Sequence, residues 1–541
     1  MFALSYMPLS AALAAVLLAL TPNASGAESQ AAAGASSLGD ETMIATASPQ
    51  GEDATGPRSP AEPYEIAWFE QGRAEALLDA LAAAHTHALP VSRYAPDALR
   101  AAVEAARGSP ALRADASARL TRAYLSYARD VTSGALEPSR VAPLIEVEPP
   151  RPNSAALLRA AATVGDLRAL LASLAPRDAE YDALRAAYAK LSDSIGEADW
   201  GGKVAGGRVL RARDADARVP ALRDRLARLG HDAGPSPAPN RMDDALAEAV
   251  KAFQSEYGLN RDGVVGPATL AALNAGPAFR LGQIAVNLER IRWLNRPLGA
   301  RRVMVNLPDF TVTLFDGDRI LFRERVVIGR DKEQTPEFSD EMEHLVLNPT
   351  WFVPRSIATE DLLPRLQKDP TILSQRNMHL SRPDGGPLPL DAASHDWSAY
   401  SQASFPYRIR QRPSSSNALG RVKFMFPNHN NIYLHDTPQK NLFDRDRRAY
   451  SWGCVRVRNP LLLAELLLAP QMDDPKGFID RTLARGGERY VNLDAHVPVH
   501  ITYRTAWVDE AGKLQFRTDV YGRDALALKA LRSAGLELPE S

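Results

Sequence analysis

The sequence predicts a multidomain α+β protein: a helical scaffold, then a three-helix module, then a mainly β domain with an inserted lid subdomain. Three observations predict it. Ala- and Leu-rich stretches with apolar residues three or four apart fill the chain before residue 208. Short helical segments punctuated by glycine and proline follow as far as residue 276. The C-terminal third then alternates apolar and polar residues with period two. At 541 residues the chain is long enough for several domains. Its 64 Lys and Arg against 65 Asp and Glu give a net charge of −1, without the basic excess that a nucleic-acid partner would require.

The N-terminus reads as an export signal over residues 1–27. Leu9 to Leu20 is an apolar run stopped by Pro22, and Ser25-Gly26-Ala27 supplies small residues for cleavage. No Lys or Arg precedes the run, so a membrane tether through an uncleaved N-terminus is the alternative. Either way the body of the protein is expected outside the cytoplasm. No later apolar run reaches the roughly 20 residues that a bilayer span needs. Residues 28–62 are Ala, Gly, Ser, Thr and Pro with almost no large apolar side chains, the composition of a disordered linker.

Residues 63–207 form the predicted scaffold, with "RAEALLDALAAAH", "DASARLTRAYLSYARD" and "YDALRAAYAKLSDSI" as helices and no catalytic grouping. In residues 208–276, Leu222, Leu226 and Leu229 make one helix face, with Gly230 as its C-cap. Leu246, Val250, Phe253 and Tyr257 make a second face, ended by Gly258. Asp262-Gly263 is a turn, and Pro267 opens a third helix. The set Phe253, Gln254, Gly258, Leu259, Asp262, Gly263, Gly266, Thr269 and Leu273 resembles the peptidoglycan-binding module of bacterial wall enzymes. Most of these residues explain the fold rather than contact with glycan. A connecting helix is expected over 277–300. Residues 301–524 are the β domain, with hairpin turns at Asp316-Gly317 and Gly512. Pro, Gly and Asp interrupt it at about 354–412, the expected lid. Residues 525–541 read as a C-terminal tail.

The chain holds one cysteine, in "YSWGCVRV". Oxidising compartments favour paired cysteines, so a lone thiol on an exported chain is either a small buried hydrophobe or reactive. Strand alternation bears on the choice. In "IYLHD", Ile432 and Leu434 face the core, leaving Tyr433 and His435 together on the other face. In "CVRVR", Val455 and Val457 face inward, leaving Cys454, Arg456 and Arg458 outside. If the two strands pair or neighbour one another, His435 reaches Cys454. The thiolate is the nucleophilic form; an imidazole can take its proton, and the cation at Arg456 favours the anion. Gly453 permits close backbone approach, so the amides of Gly453 and Cys454 are candidate oxyanion donors.

"IYLHDTPQKNLFDRDRRAYSWGCVRV" resembles the active-site signature of the L,D-transpeptidases. With "LNPTWFVPRSI", "YRIRQ" and "NALGRVKFMFPN", the chain is similar to the large periplasmic members of that family, which join a YkuD-type catalytic domain to a peptidoglycan-binding module. The resemblance implies that Cys454 is the nucleophile and His435 the base. It places Ser451, Gly453 and Arg456 at positions that shape the site or its oxyanion hole, and Tyr433 at a matching strand position; Tyr433, Arg456, Trp452 and Asn417 are our candidate substrate-binding residues, with Arg456 expected to meet a substrate carboxylate. It implies murein L,D-transpeptidation: a tetrapeptide stem is the donor, a diaminopimelate amine the acceptor, the product a 3→3 cross-link, and the intermediate a cysteine thioester. It also implies carbapenems as covalent inhibitors, and no cofactor. Two positions depart from the family pattern: Trp452 stands where many members have histidine, and Ser414 where glycine usually follows the proline. Alternatives on the same Cys–His site are an L,D-carboxypeptidase and a wall-protein ligase or hydrolase. A non-catalytic peptidoglycan-binding scaffold is the alternative of another class. A papain-like protease is disfavoured because its cysteine precedes its histidine. Metal hydrolysis has no H-E-x-x-H motif, and His85 and His87 would not share a helix face.

Overall fold

The computed structural model describes residues 65–195, 200–382, 386 and 395–538. The export signal and the linker, residues 1–62, lie outside them. The scaffold is helical as expected, its longest helix being Pro110–Ser133, and its core includes Trp68, Leu77, Leu120 and Tyr124. The three-helix module comprises Val219–Arg228, Asp244–Glu256 and Pro267–Asn274. Gly230 and Gly258 end helices with φ of 83° and 63°, values that a side chain would strain. Gln254 is a structural clamp there: its amide nitrogen donates to Asp262 Oδ1 at 2.9 Å, and its oxygen accepts from the Gly263 amide at 2.9 Å.

Fourteen strands follow: β1 (Arg301–Asn306), β2 (Thr311–Asp316), β3 (Arg319–Gly329), β4 (Phe338–Leu347), β5 (Trp351–Phe352), β6 (Met378–Ser381), β7 (Arg408–Gln411), β8 (Val422–Met425), β9 (Leu434–His435), β10 (Ala449–Ser451), β11 (Val455–Val457), β12 (Arg489–Thr502), β13 (Ala506–Val508) and β14 (Leu514–Phe516). Nine make one sheet in the order β10-β3-β11-β9-β8-β4-β12-β1-β2, and β2 also pairs with β3. That extra pairing closes the sheet on itself. Its core is the inward set predicted by alternation, with Leu434, Val455 and Val457 all fully buried. Residues 354–412 hold β6 and β7 and short helices. With β5 they form a separate three-stranded sheet whose core includes Leu362, Leu366, Trp397 and Ile409.

Two expectations are corrected. The helix Pro277–Trp293 is no mere connector, because every residue from Arg280 to Trp293 is buried. It is the hub between regions. Glu289 pairs with Arg292 at 2.7 Å and accepts from the Leu136 amide at 2.8 Å, tying the helix to the scaffold. Arg290 reaches Glu337 at 2.7 Å and Asp524 at 3.0 Å, tying it to the β domain. Nor is the C-terminus a tail. Arg523–Ser533 is a helix, and Ala527, Leu531 and Leu536 pack into the core shared with the three-helix module. The spacing of those apolar residues was the available signal.

Candidate active site

The site stands on the sheet face opposite the core. β11 runs parallel beside β9, with Val455 opposite Leu434 and Arg456 opposite His435. β8 lies antiparallel on the other side of β9, with Lys423 opposite His435. Lys423, His435 and Arg456 therefore form a row across three strands, with Tyr433 and Cys454 one step along. The strands flanking the cysteine and histidine are direct neighbours.

His435 is buried, and its Nδ1 donates to the Asp436 carbonyl at 2.5 Å, so Nε2 is the nitrogen free to accept a proton. The Asp436 carboxylate is used elsewhere: it accepts from the Arg421 amide at 2.8 Å and pairs with Lys440 at 2.6 Å. Burial, with Arg456 and to a lesser extent Lys423 and Lys440, holds the His435 pKa down to about 3. Cys454 is partly accessible. Burial pushes its thiol up, while hydrogen bonding from Tyr433 and the cations Lys423 and Arg456 pull the other way. The resting pair is consequently a neutral thiol beside a neutral imidazole, and the thiol donates to the Asn431 carbonyl at 3.7 Å.

Tyr433 packs edge-on to His435, with ring centroids 5.6 Å apart, and Lys423 Nζ sits 4.0 Å from its ring centre. Arg456 donates to Gln439 Oε1 at 2.7 Å, and its Nε is buried with no hydrogen-bond partner. Trp452 lies under the Arg330 guanidinium, 3.9 Å from ring centre to Cζ. Arg330 is in turn paired with Glu333, and Asp361 and Glu360 of the inserted segment lie close enough to favour its charge.

The cysteine turn is built by Ser451. Its hydroxyl donates to the Cys454 carbonyl at 2.6 Å and accepts from the Gly453 amide at 3.1 Å. Gly453 has φ of 107°, and a Cβ there would press on Ile432. Because the Gly453 amide is already engaged, Gly453 is not the free oxyanion donor expected; the Cys454 amide is the remaining candidate. Asn417 is corrected too. It is fully buried, and its side chain donates to the carbonyls of Pro349, Gln411 and Arg412 and accepts from the Leu419 amide. It is a loop clasp, with no atom left for substrate.

Sequence reasoning missed Lys423, Asn431 and Thr335. Thr335 is fully buried; its hydroxyl donates to the Gly453 carbonyl at 2.6 Å and accepts from the Gly329 amide at 3.0 Å. Lys423 could have been found, because "VKFMF" alternates and puts Lys423 on a polar face. The other two depend on tertiary contacts that no local pattern announces.

Residues 300–481 match the family described as "L,D-transpeptidase catalytic domain". The chain carries an L,D-transpeptidase catalytic domain. Ahead of this L,D-transpeptidase domain, residues 61–187 match a "Scaffold domain" and residues 215–273 a "Putative peptidoglycan binding domain". A protein of Haemophilus influenzae named "Putative L,D-transpeptidase" is 36% identical over 245 residues, which is 45% of this chain and 48% of that one. The chain thus spans about half the length of that curated relative. Among solved structures, an L,D-transpeptidase from Xylanimonas cellulosilytica is 16% identical, covering 55% of this chain and 99% of its own, with a TM-score of 0.17. One from Stackebrandtia nassauensis is 14% identical, covering 54% and 94%, with a TM-score of 0.20.

Proposed function

We propose that this protein is a murein L,D-transpeptidase that forms 3→3 cross-links between peptidoglycan stems outside the cytoplasm, in the periplasm. The observation that supports the reading is the pairing of β9 with β11, which sets the strand carrying His435 beside the one that follows Cys454, with His435 Nδ1 engaged by the Asp436 carbonyl and Nε2 left to accept a proton. As Cys454 Sγ attacks the carbonyl of the third stem residue, its proton passes to His435 Nε2. The S–C bond forms, the C–N bond to terminal D-Ala breaks, and the proton leaves with the amine. A diaminopimelate amine then attacks the thioester, and the sulfur recovers a proton through His435.

The depressed pKa keeps the His435 imidazole neutral at rest, with Nε2 unprotonated when the thiol proton moves. The imidazole does not store the proton as a resting cation but hands it on within the step. The Cys454 amide would meet the oxyanion, a donor worth roughly 2.7–4 kcal/mol in comparable sites. Arg456 and Lys423 would receive the carboxylates of the stem. A β-lactam carbonyl offers the same thiol the same electrophile, so carbapenems should form a covalent adduct.

One mass spectrum tests the proposal. Incubated with disaccharide-tetrapeptide, the purified protein should give a dimer lighter by one alanine. Tripeptide monomer alone would make water the acceptor and the enzyme an L,D-carboxypeptidase. Unchanged substrate, with retained binding to sacculi, would replace catalysis with a wall-binding scaffold.

A further inference from the structure

The scaffold region, which carries no catalytic motif, reaches the nucleophile's surroundings through the segment around Ile145. Its segment around Ile145 makes a parallel bridge to Glu337, with the Glu337 amide donating to the Leu144 carbonyl and the Glu146 amide to the Glu337 carbonyl, both at 2.8 Å. From there the Glu146 carboxylate crosses to the loop before β9. It accepts from Asn430 Nδ2 at 2.6 Å and pairs with the exposed His429 at 3.1 Å.

That loop is a stiff object. Asn431 has φ of 53°, a left-handed backbone. Asn428 locks the loop by donating to the Phe426 and Ile432 carbonyls at 2.6 and 2.8 Å and accepting from the Ile432 amide at 3.1 Å. The next carbonyl after Asn430 is that of Asn431, which accepts the Cys454 thiol, and the next side chain is Ile432, which lies against Gly453. Glu146 is thus one hydrogen bond and one peptide away from the group that holds the nucleophile.

We propose that Glu146 is a positioning residue for Cys454: by anchoring Asn430 it sets the Asn431 carbonyl that keeps the thiol protonated and aimed. The scaffold is then a working part of the active site rather than a spacer. The proposal rests on Cys454 being the reactive thiol, but not on which acceptor it serves.

The test exploits the single cysteine of the chain, which makes alkylation by iodoacetamide report one site. In the full-length protein, Glu146→Ala should release the Asn431 carbonyl. A hydrogen bond to the neutral thiol disfavours ionisation, so its loss should move the alkylation profile to lower pH and raise the rate at pH 7 about two- to fivefold. Acylation by a carbapenem, which needs the sulfur aimed as well as ionised, should slow by about tenfold. The other groups acting on the sulfur, Tyr433, Lys423 and Arg456, and His435 opposite Arg456, are the same in variant and parent.

Glu146→Gln keeps an acceptor for Asn430 and should restore both readouts. His429→Ala, which removes the exposed pair with Glu146 and a longer 3.3 Å contact to Asn430 Nδ2 but keeps the Glu146–Asn430 hydrogen bond, should leave both close to the parent. Profiles of Glu146→Ala that superimpose on the parent overturn the proposal. So does an equal shift in all three variants with a lowered Tm, which would mean general loosening. Failure to form cross-links with a normal Glu146 response would count against the transpeptidase reading and leave this one standing.

Discussion

Two groups of half- or fully buried cations sit in this molecule, and they are treated in opposite ways. At the hub, three arginines are matched. Glu337 is held between Arg290 and Arg523 at 2.7 and 2.9 Å, and Arg292 pairs with Glu289 at 2.7 Å. On the catalytic face, Lys423 and Arg456 flank a neutral His435, and among the described residues neither forms an ion pair; Lys423 rests on an aromatic ring and Arg456 on an amide oxygen. Burial lowers the pKa of both of these cations. Matched charge holds the domains together. In the proposed reaction the charges left unmatched beside His435 would meet a carboxylate-bearing stem.

The sharpest way to break this contrast is at the reacting atom itself. Cys454→Ala should abolish both cross-linking and the carbapenem adduct with an unaltered Tm, and cross-linked product from that variant would end the assignment. Next in size is the hub. Glu337→Ala leaves Arg523 buried without a carboxylate and Arg290 with Asp524 alone, and should cost roughly 3–5 kcal/mol in denaturant unfolding; a change under about 1 kcal/mol would show the match to be ornamental. On the catalytic face the signs reverse. Lys423→Met should leave Tm unchanged or slightly higher, since no partner is orphaned, and should lower kcat/KM by about tenfold through a lost charge-assisted contact. A destabilised Lys423→Met with normal kinetics would put this lysine among the structural cations.

A further effect concerns acid. His435 and His87 are both held to about 3 in the fold, chiefly by burial, against an ordinary 6.5 when unfolded. Between those values the unfolded chain binds protons that the folded one refuses. Stability contributed by these neutral histidines is therefore complete above pH 6.5 and lost progressively as pH falls towards 3. Melting curves at pH 7 and pH 4.5 should show it, and Phe at position 87 (His87→Phe) should reduce the difference. A flat Tm over that span would contradict the buried neutral state.

Much of this arrangement was legible in the sequence, for physical reasons that also mark where legibility stops. Period-two alternation gave the inward set Leu434, Val455 and Val457, and hence put Tyr433, His435, Cys454 and Arg456 on one side. Glycines at Gly230 and Gly258 ended helices because only a residue without Cβ enters that backbone region cheaply. Register was not legible. Whether Arg456 or Cys454 stands opposite His435 depends on how β9 meets β11, and nothing local states it. Asn417 failed for a related reason: a polar side chain in a motif can serve a ligand or its own loop, and only the three carbonyls around it decide. The helix Arg523–Ser533 was mistaken for a tail because its apolar face is short and its partner core lies in a module hundreds of residues away. Glu146 was invisible because its partners are joined to it only by the fold.

The closed sheet carries a consequence for how the protein is made. β1 runs parallel to β12, pairing Val303 with Val499, so the ring joins the two ends of the β domain. Such non-local pairing is slow to form, because distant segments must find each other before any contact rewards them. A chain emerging from its N-terminus cannot complete the barrel until β12 has been delivered, and up to that moment the strands bearing Cys454 are unfinished and its sulfur unprotected. A second cysteine anywhere in the chain would be a trap during that interval. With one thiol and no internal partner, the nascent domain has no wrong disulfide of its own to make.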